Sequence, residues 1–173
     1  MEEERRRQLL KLARESIRTA FSGEQPEIPA SSEEYGAFVT LKKDGQLRGC
    51  IGYLLPIAPL DEQIARLARS AAFDDYRFPR LKEDELASCT IEISLLSLPL
   101  KIPSVDAFQL GKHGIYLTVN GHRAVFLPQV AEETGWTKEE LLAALSRKAG
   151  LPADAWKSPN ALFEVFTAEV FSE

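Results

Sequence analysis

The stretch "LRGCIG", Leu47–Gly52, sets an arginine and a thiol among glycines in a run whose flanks read as β-strand. A cysteine there can act as a nucleophile or an acid–base group, since the thiolate is the reactive form of the side chain. Arg48 lies two residues before Cys50, so in a regular strand the two share a face. A guanidinium beside a thiol favours the thiolate. Gly49 and Gly52 remove side chains on either side, leaving room for a substrate or for a close backbone contact. The structural alternative is that the glycines fit a bulge against the first helix while Cys50 fills a small hole.

Three further groups could complete such a site. His113, in "GKHGIYL", stands at a strand start between Gly111 and Gly114 and is the candidate proton partner. Glu92, in "TIEISLL", is a mid-strand carboxylate that could orient His113 or pair with Arg48. Asp75 and Arg77, in "FDDYRFP", form a polar loop that could line a cleft, with Arg48 and Arg77 serving an anionic ligand. Cys89 begins a strand after a polar loop and reads as structural. His122 follows Asn120-Gly121 and reads as solvent-facing. Cys50, His113 and Glu92 are ligand types that zinc or iron accept, but they come from separate strands without ligand spacing, so neither an intrinsic metal nor a cofactor is expected. The chain has no GxSxG elbow, P-loop, GxGxxG or HExxH motif.

The elements that must position these residues follow from periodicity. Residues Glu3 to Phe21 repeat Leu10, Ala13, Ile17 and Phe21 at helical spacing, with Gly23 placed to stop the helix. Asp44-Gly45 and Asn120-Gly121 each join two β-rich runs as tight hairpins. Leu60, Ile64, Leu67, Ala68 and Ala71 mark one face of a second helix, and "CTIEISLLS" alternates as a strand. "PQVAEETGW" and "TKEELLAALSRKAG" read as helices, the latter opened by a Thr137/Glu140 capping box and closed by Gly150, and "ALFEVFTAEVF" reads as the last strand. Each half thus runs hairpin, helix, strand. The expected fold is α+β: a single domain over residues 1–173, made of two related ββαβ-type halves with mostly antiparallel sheets and an N-terminal helix.

At 173 residues, 45% hydrophobic and 27% charged, the chain can bury an ordinary core. Its net charge of −5 disfavours nucleic acid as a partner. No apolar run nears the roughly 20 residues that span a bilayer. "MEEERRR" lacks the apolar segment of a secretion signal. The reading is a cytoplasmic protein.

"LRGCIG", "AAFDDYRFPRL", "IEISLLS", "GKHGIYL", "AVFLPQVAEETGW" and "RKAGLPADAW" occur in that order, and together they resemble the AMMECR-one family, including the proteins called AmmeMemoRadiSam system protein A. The resemblance covers nearly the whole chain. It implies an α+β fold of two related halves and carries the family signature onto Leu47, Arg48, Gly49, Cys50, Ile51 and Gly52. Tyr53-Leu54 stands where many members read Thr-Phe, and Tyr76 replaces a proline between Asp75 and Arg77. The family establishes no reaction; its name implies association with Memo-type and radical-SAM proteins. The functional expectation is a ligand-binding or catalytic cleft around the RGCIG strand, with Cys50, His113 and Glu92 as catalytic candidates. Arg48, Gly49, Gly52, Asp75 and Arg77 are the ligand-binding candidates, for a small or anionic molecule. The alternative is a non-catalytic scaffold acting with Memo-type and radical-SAM partners.

Overall fold

The computed structural model describes all 173 residues, Met1–Glu173. Helix α1 spans Glu3–Ser22. Leu9, Ala13 and Ile17 recur along one side of it and are wholly buried, as an amphipathic stripe requires. Gly23, at φ 74°, ends the helix in the left-handed conformation that a residue without Cβ adopts at low cost. Strands β1 (Gly36–Lys43) and β2 (Gln46–Tyr53) form the first hairpin. Both turn residues, Asp44 and Gly45, have positive φ, as the tightest hairpin turns demand. Helix α2 (Leu60–Phe73) and strand β3 (Cys89–Leu96) follow.

The chain folds as two compact units, Met1–Leu96 with Glu169–Glu173, and Ser97–Ala168. In the first, the strands lie in the order β2-β1-β3, all antiparallel. Ala37, Val39 and Leu41 alternate along β1 and are fully buried with Ile91 and Ile93 of β3, in one core with the apolar sides of α1 and α2. Burying each of the Val, Leu and Ile side chains stabilises the unit by about 1.5–3 kcal/mol before entropy is counted. Phe38, Thr40 and Lys42, the alternate residues of β1, are only partly buried and occupy the face turned away from the helices.

The second unit contains β4 (Leu100–Ile102), β5 (His113–Val119), β6 (His122–Phe126), α3 (Val130–Thr134), α4 (Lys138–Lys148) and most of β7 (Leu162–Ser172). Its strands run β6-β5-β7-β4. Thr137 caps α4, its hydroxyl accepting the Glu140 N–H at 3.2 Å. Leu141, Leu142 and Leu145 share a core with Ile115, Leu117 and Phe163. In both units the first strand of the hairpin is central, with the second and the last strand on either side. The ββαβ repeat read from element order is therefore also a repeat of strand order. No Pro/Gly/Ser linker marks the boundary between the units at Leu96 and Ser97. The short β4 and the 3-10 turns were not legible in the sequence, and "PQVAEETGW" forms only five helical residues.

One irregularity in the first hairpin decides where the motif residues point. The Asp44-Gly45 turn sets Lys43 opposite Gln46 and Lys42 opposite Leu47, but Leu41 faces Gly49 and Thr40 faces Cys50. Arg48 is the extra residue of a β-bulge. Continued without the bulge, the register would set Cys50 opposite Val39, on the helix-covered face. The one-residue shift moves it to the other face. Gly49 is left on the covered side, where a Cβ would lie 2.1 Å from the Ala71 carbonyl oxygen of α2. A Cβ on Gly52 would fall 2.3 Å from the Phe38 ring. The space beside both glycines is thus filled by the protein's own atoms. The bulge of the structural alternative is present, but the helix it meets is the second, not the first. Gly49 has no positive φ, so steric contact alone excludes a side chain there. Gly49→Ala is expected to lower stability by about 1–3 kcal/mol through displacement of α2. An unchanged denaturant midpoint would show that α2 does not rest on β2 at this point.

Candidate functional site

On the helix-free face of the first unit, Cys50 of β2, Thr40 of β1 and Glu92 of β3 form one cross-strand row. All three are partly buried. The Thr40 hydroxyl donates to Cys50 Sγ at 3.1 Å and so orients the sulfur. Thr40 stands between Cys50 and Glu92, whose strands are two ladder spacings apart, about 9–10 Å. Glu92 accepts instead from Lys42 Nζ at 2.8 Å, with both side chains partly open to solvent. Thr40 and Lys42 escaped the sequence reading. Their signal was alternation along β1, which places them beside Cys50 only once the bulge is known.

Strand β2 lies at the edge of its sheet, and the backbone of Cys50 is held there from outside. Its N–H donates to Asp75 Oδ2 at 2.9 Å, and its carbonyl accepts from the Arg77 guanidinium at 3.3 Å. Arg77 also bonds Asp75 through its own N–H at 3.2 Å, Nε at 3.0 Å and a terminal nitrogen at 2.8 Å. The loop after α2 thereby does for one residue what a neighbouring strand would do, which also blunts a pairing edge. Asp75 is buried, and the Arg77 side chain beside it holds its carboxyl well below the usual carboxylate range, with the Cys50 and Arg77 backbone N–H groups adding to the effect. The site reading of Asp75 and Arg77 thus places them in contact with Cys50, through its peptide.

Arg48 goes elsewhere. Its guanidinium donates to Glu85 Oε1 at 3.3 Å and Oε2 at 3.1 Å, and Lys43 Nζ reaches the same carboxylate at 3.1 Å. Lys43 alternates with Val39 and Leu41, so Arg48 has joined the helix-covered side while Cys50 faces away. The expected shared face of Arg48 and Cys50 is absent because the bulge breaks the alternation it relied on. Arg48 is buried, and one terminal nitrogen has no hydrogen-bond partner. Cys89 is buried beside this cluster, and burial pushes its thiol upward, the form of an inert structural cysteine.

His113 starts β5 in the second unit. Its Nδ1 accepts the backbone N–H of Gln109 at 3.1 Å, which leaves the proton of the neutral ring on Nε2. Burial, with Lys112 nearby, lowers its pKa, so the ring is neutral at physiological pH. No group of three His, Cys, Asp or Glu side chains is arranged to hold a metal ion. No helix is long and apolar enough to cross a membrane.

Glu85 supplies a pH test of the covered side. Arg48 chiefly, with the Lys82 N–H, lowers its pKa to about 2 from 4.5. A depressed folded-state pKa gives stability that is complete above the unfolded value and lost as pH falls through the folded one. Glu85→Gln is expected to cost about 3 kcal/mol near pH 7. The difference from the parent protein should shrink between about pH 5 and pH 2. A difference independent of pH, read from denaturation at several pH values, would contradict the pairing.

The AMMECR1 family model matches residues 10–171. Protein NEQ441 of Nanoarchaeum equitans is 38% identical, over 95% of this chain and 98% of its own. A protein of Aquifex aeolicus is also 38% identical, over 96% of this chain and 92% of its own. The crystal structure of the uncharacterized protein PH0010 from Pyrococcus horikoshii, 36% identical, superposes with a TM-score of 0.74 over 95% of this chain and 89% of that one. The motif order read along the sequence, the α+β fold and these matches agree, and the chain belongs to the AMMECR1 family.

Proposed function

We propose that the protein works through a ligand-binding site on the helix-free face of its first sheet, with the Cys50 thiol as the reactive group of an enzyme. One observation carries this reading: the Cys50 backbone N–H and carbonyl are held by Asp75 and Arg77, while the residue is only partly buried and its sulfur is oriented by Thr40. A side chain that only filled a hole would not need its backbone held by an ion pair. Cys50 is the nucleophile, and the Lys42–Glu92 pair is the charged group that shares its face. The Arg77 side chain, 46% exposed, is the cation available to an anionic ligand; Arg48, at 11%, is committed to Glu85. The test is mass-spectrometric mapping after limited alkylation of the folded protein at neutral pH. Cys50 is expected to label several-fold faster than buried Cys89. Asp75→Ala should change the Cys50 rate while leaving the Cys89 rate unaltered. Faster labelling of Cys89 would remove the thiol from the account.

A second reading, a binding module for Memo-type or radical-SAM proteins, has its own support. Tyr53, Leu55 and Ile57 are apolar at alternate positions and 45–50% exposed, and Tyr76 is 95% exposed. Tyr53 and Tyr76 are also the places where the chain departs from the usual family pattern. If this surface docks a protein partner, Leu55→Ser with Ile57→Ser abolishes co-purification of a radical-SAM or Memo-type protein and Cys50→Ser does not. Retained co-purification in the double variant would exclude it.

A further inference from the structure

A separate hollow in the first unit has a structural cause. Ser16 on α1 and Ala65 on α2 are small, and the helices approach closely enough there for Ser16 Oγ to donate to the Ala65 carbonyl at 2.7 Å. Small side chains at a helix crossing leave space above them. Residues 24–35 pass over that space as a strap with neither helix nor strand. Its ends are tied. Arg69 donates to the Glu24 carbonyl at 2.8 Å and to Gln25 Oε1 at 3.2 Å, while anchoring itself on the Ser16 carbonyl at 2.9 Å. At the other end Arg5 bridges Glu33 and buried Asp61, and the Leu60 N–H donates to the Glu33 carbonyl at 3.1 Å. Between these anchors Pro26 and Pro29 fix their own φ and bias the residues before them toward extended backbone, which stiffens the strap.

The hollow beneath it has a volume of about 570 Å³. That lies within the roughly 300–1,000 Å³ typical of small-molecule sites. Pro26, Ile28, Pro29, Ala30 and Pro59 give it apolar walls, and Ile28 stays 41% exposed although it is apolar. Its charged lining is Glu62, Arg66 and Arg69, one anion against two cations. Arg69 spends four N–H groups on protein acceptors. Arg66 makes only an i,i+4 ion pair with Glu62, and its side chain is 63% exposed. Exposed pairs of that kind contribute little and yield readily to a competing anion.

We propose that this hollow is a second binding site, distinct from Cys50, for a small monoanion with an apolar body: an aromatic or branched aliphatic carboxylate. The carboxylate takes the Arg66 guanidinium, for which a planar two-oxygen acceptor is the natural partner. The body lies against Ile28 and the prolines, and the bound charge balances the net single positive charge of the lining. Titration of the isotope-labelled protein with phenylacetate, followed by amide chemical shifts, tests this. Shifts are expected at the amides of Gln25, Glu27, Ile28, Ala30 and Ser31 and in the first two turns of α2 at millimolar ligand. The uncharged phenylacetamide and the variant Arg66→Gln should each bind about tenfold more weakly. Ala30→Trp, an exposed strap position, should fill the hollow and abolish the shifts. Shifts confined to other residues, none at millimolar ligand, or equal affinity for phenylacetamide and for Arg66→Gln would each overturn the proposal.

Discussion

In β2, a single inserted residue sorts the motif between two faces of a sheet. With Arg48 taken out of register, Gly49 turns under α2 and Cys50 turns away from it. The two demands are linked. Helix α2 comes so close to β2 that only glycine fits at position 49, and without the inserted Arg48 the register would put Gly49 on the open face and Cys50 beneath the helices. The bulged Arg48 is stabilised by Glu85, which also carries Lys43. Isolated in a buried setting, that guanidinium would be costly, and Glu85 with the Lys82 N–H forms the local structure that receives it.

The opposite side of the same strand is governed by Asp75. An edge strand leaves outward N–H and C=O groups without partners. Here the one residue that carries the thiol is given an ion pair instead, with the carboxylate on its N–H and the guanidinium on its carbonyl. Arg77 stays partly exposed, so the clamp joins the fixed backbone of Cys50 to a charge that solvent and ligands can reach. Rigid placement of a reactive group by neighbours that do not themselves react is the usual requirement for a catalytic or binding constellation.

Much of the architecture was legible because it rests on local signals. Gly23, Asp44-Gly45, Asn120-Gly121 and the Thr137 cap each mark a boundary by conformational or hydrogen-bonding need, and apolar spacing gave the helices between them. The family order of motifs gave the α+β class and its two related halves. The site was less legible because its geometry depends on register. The hairpin turn correctly pairs Lys43 with Gln46, and the glycines of "GQLRGCIG" admit a bulge, yet they do not say that the ladder slips at Arg48 or which face each residue then takes. Alternation therefore put Arg48 and Cys50 on one face, and it hid Thr40, whose hydroxyl meets the sulfur. Glu85 was invisible for another reason: its partners lie 37 and 42 residues away in sequence.

The most direct test of this division of the strand is hydrogen exchange at single amides of β2. The Cys50 N–H points away from β1, so only the Asp75 carboxylate can protect it, whereas Ile51, opposite Val39, turns its amide toward β1. The account predicts a slowly exchanging Cys50 amide in the native protein. In Asp75→Ala that amide exchanges rapidly while Ile51 remains protected. A Cys50 amide that exchanges freely in the native protein, or stays protected without Asp75, would contradict it.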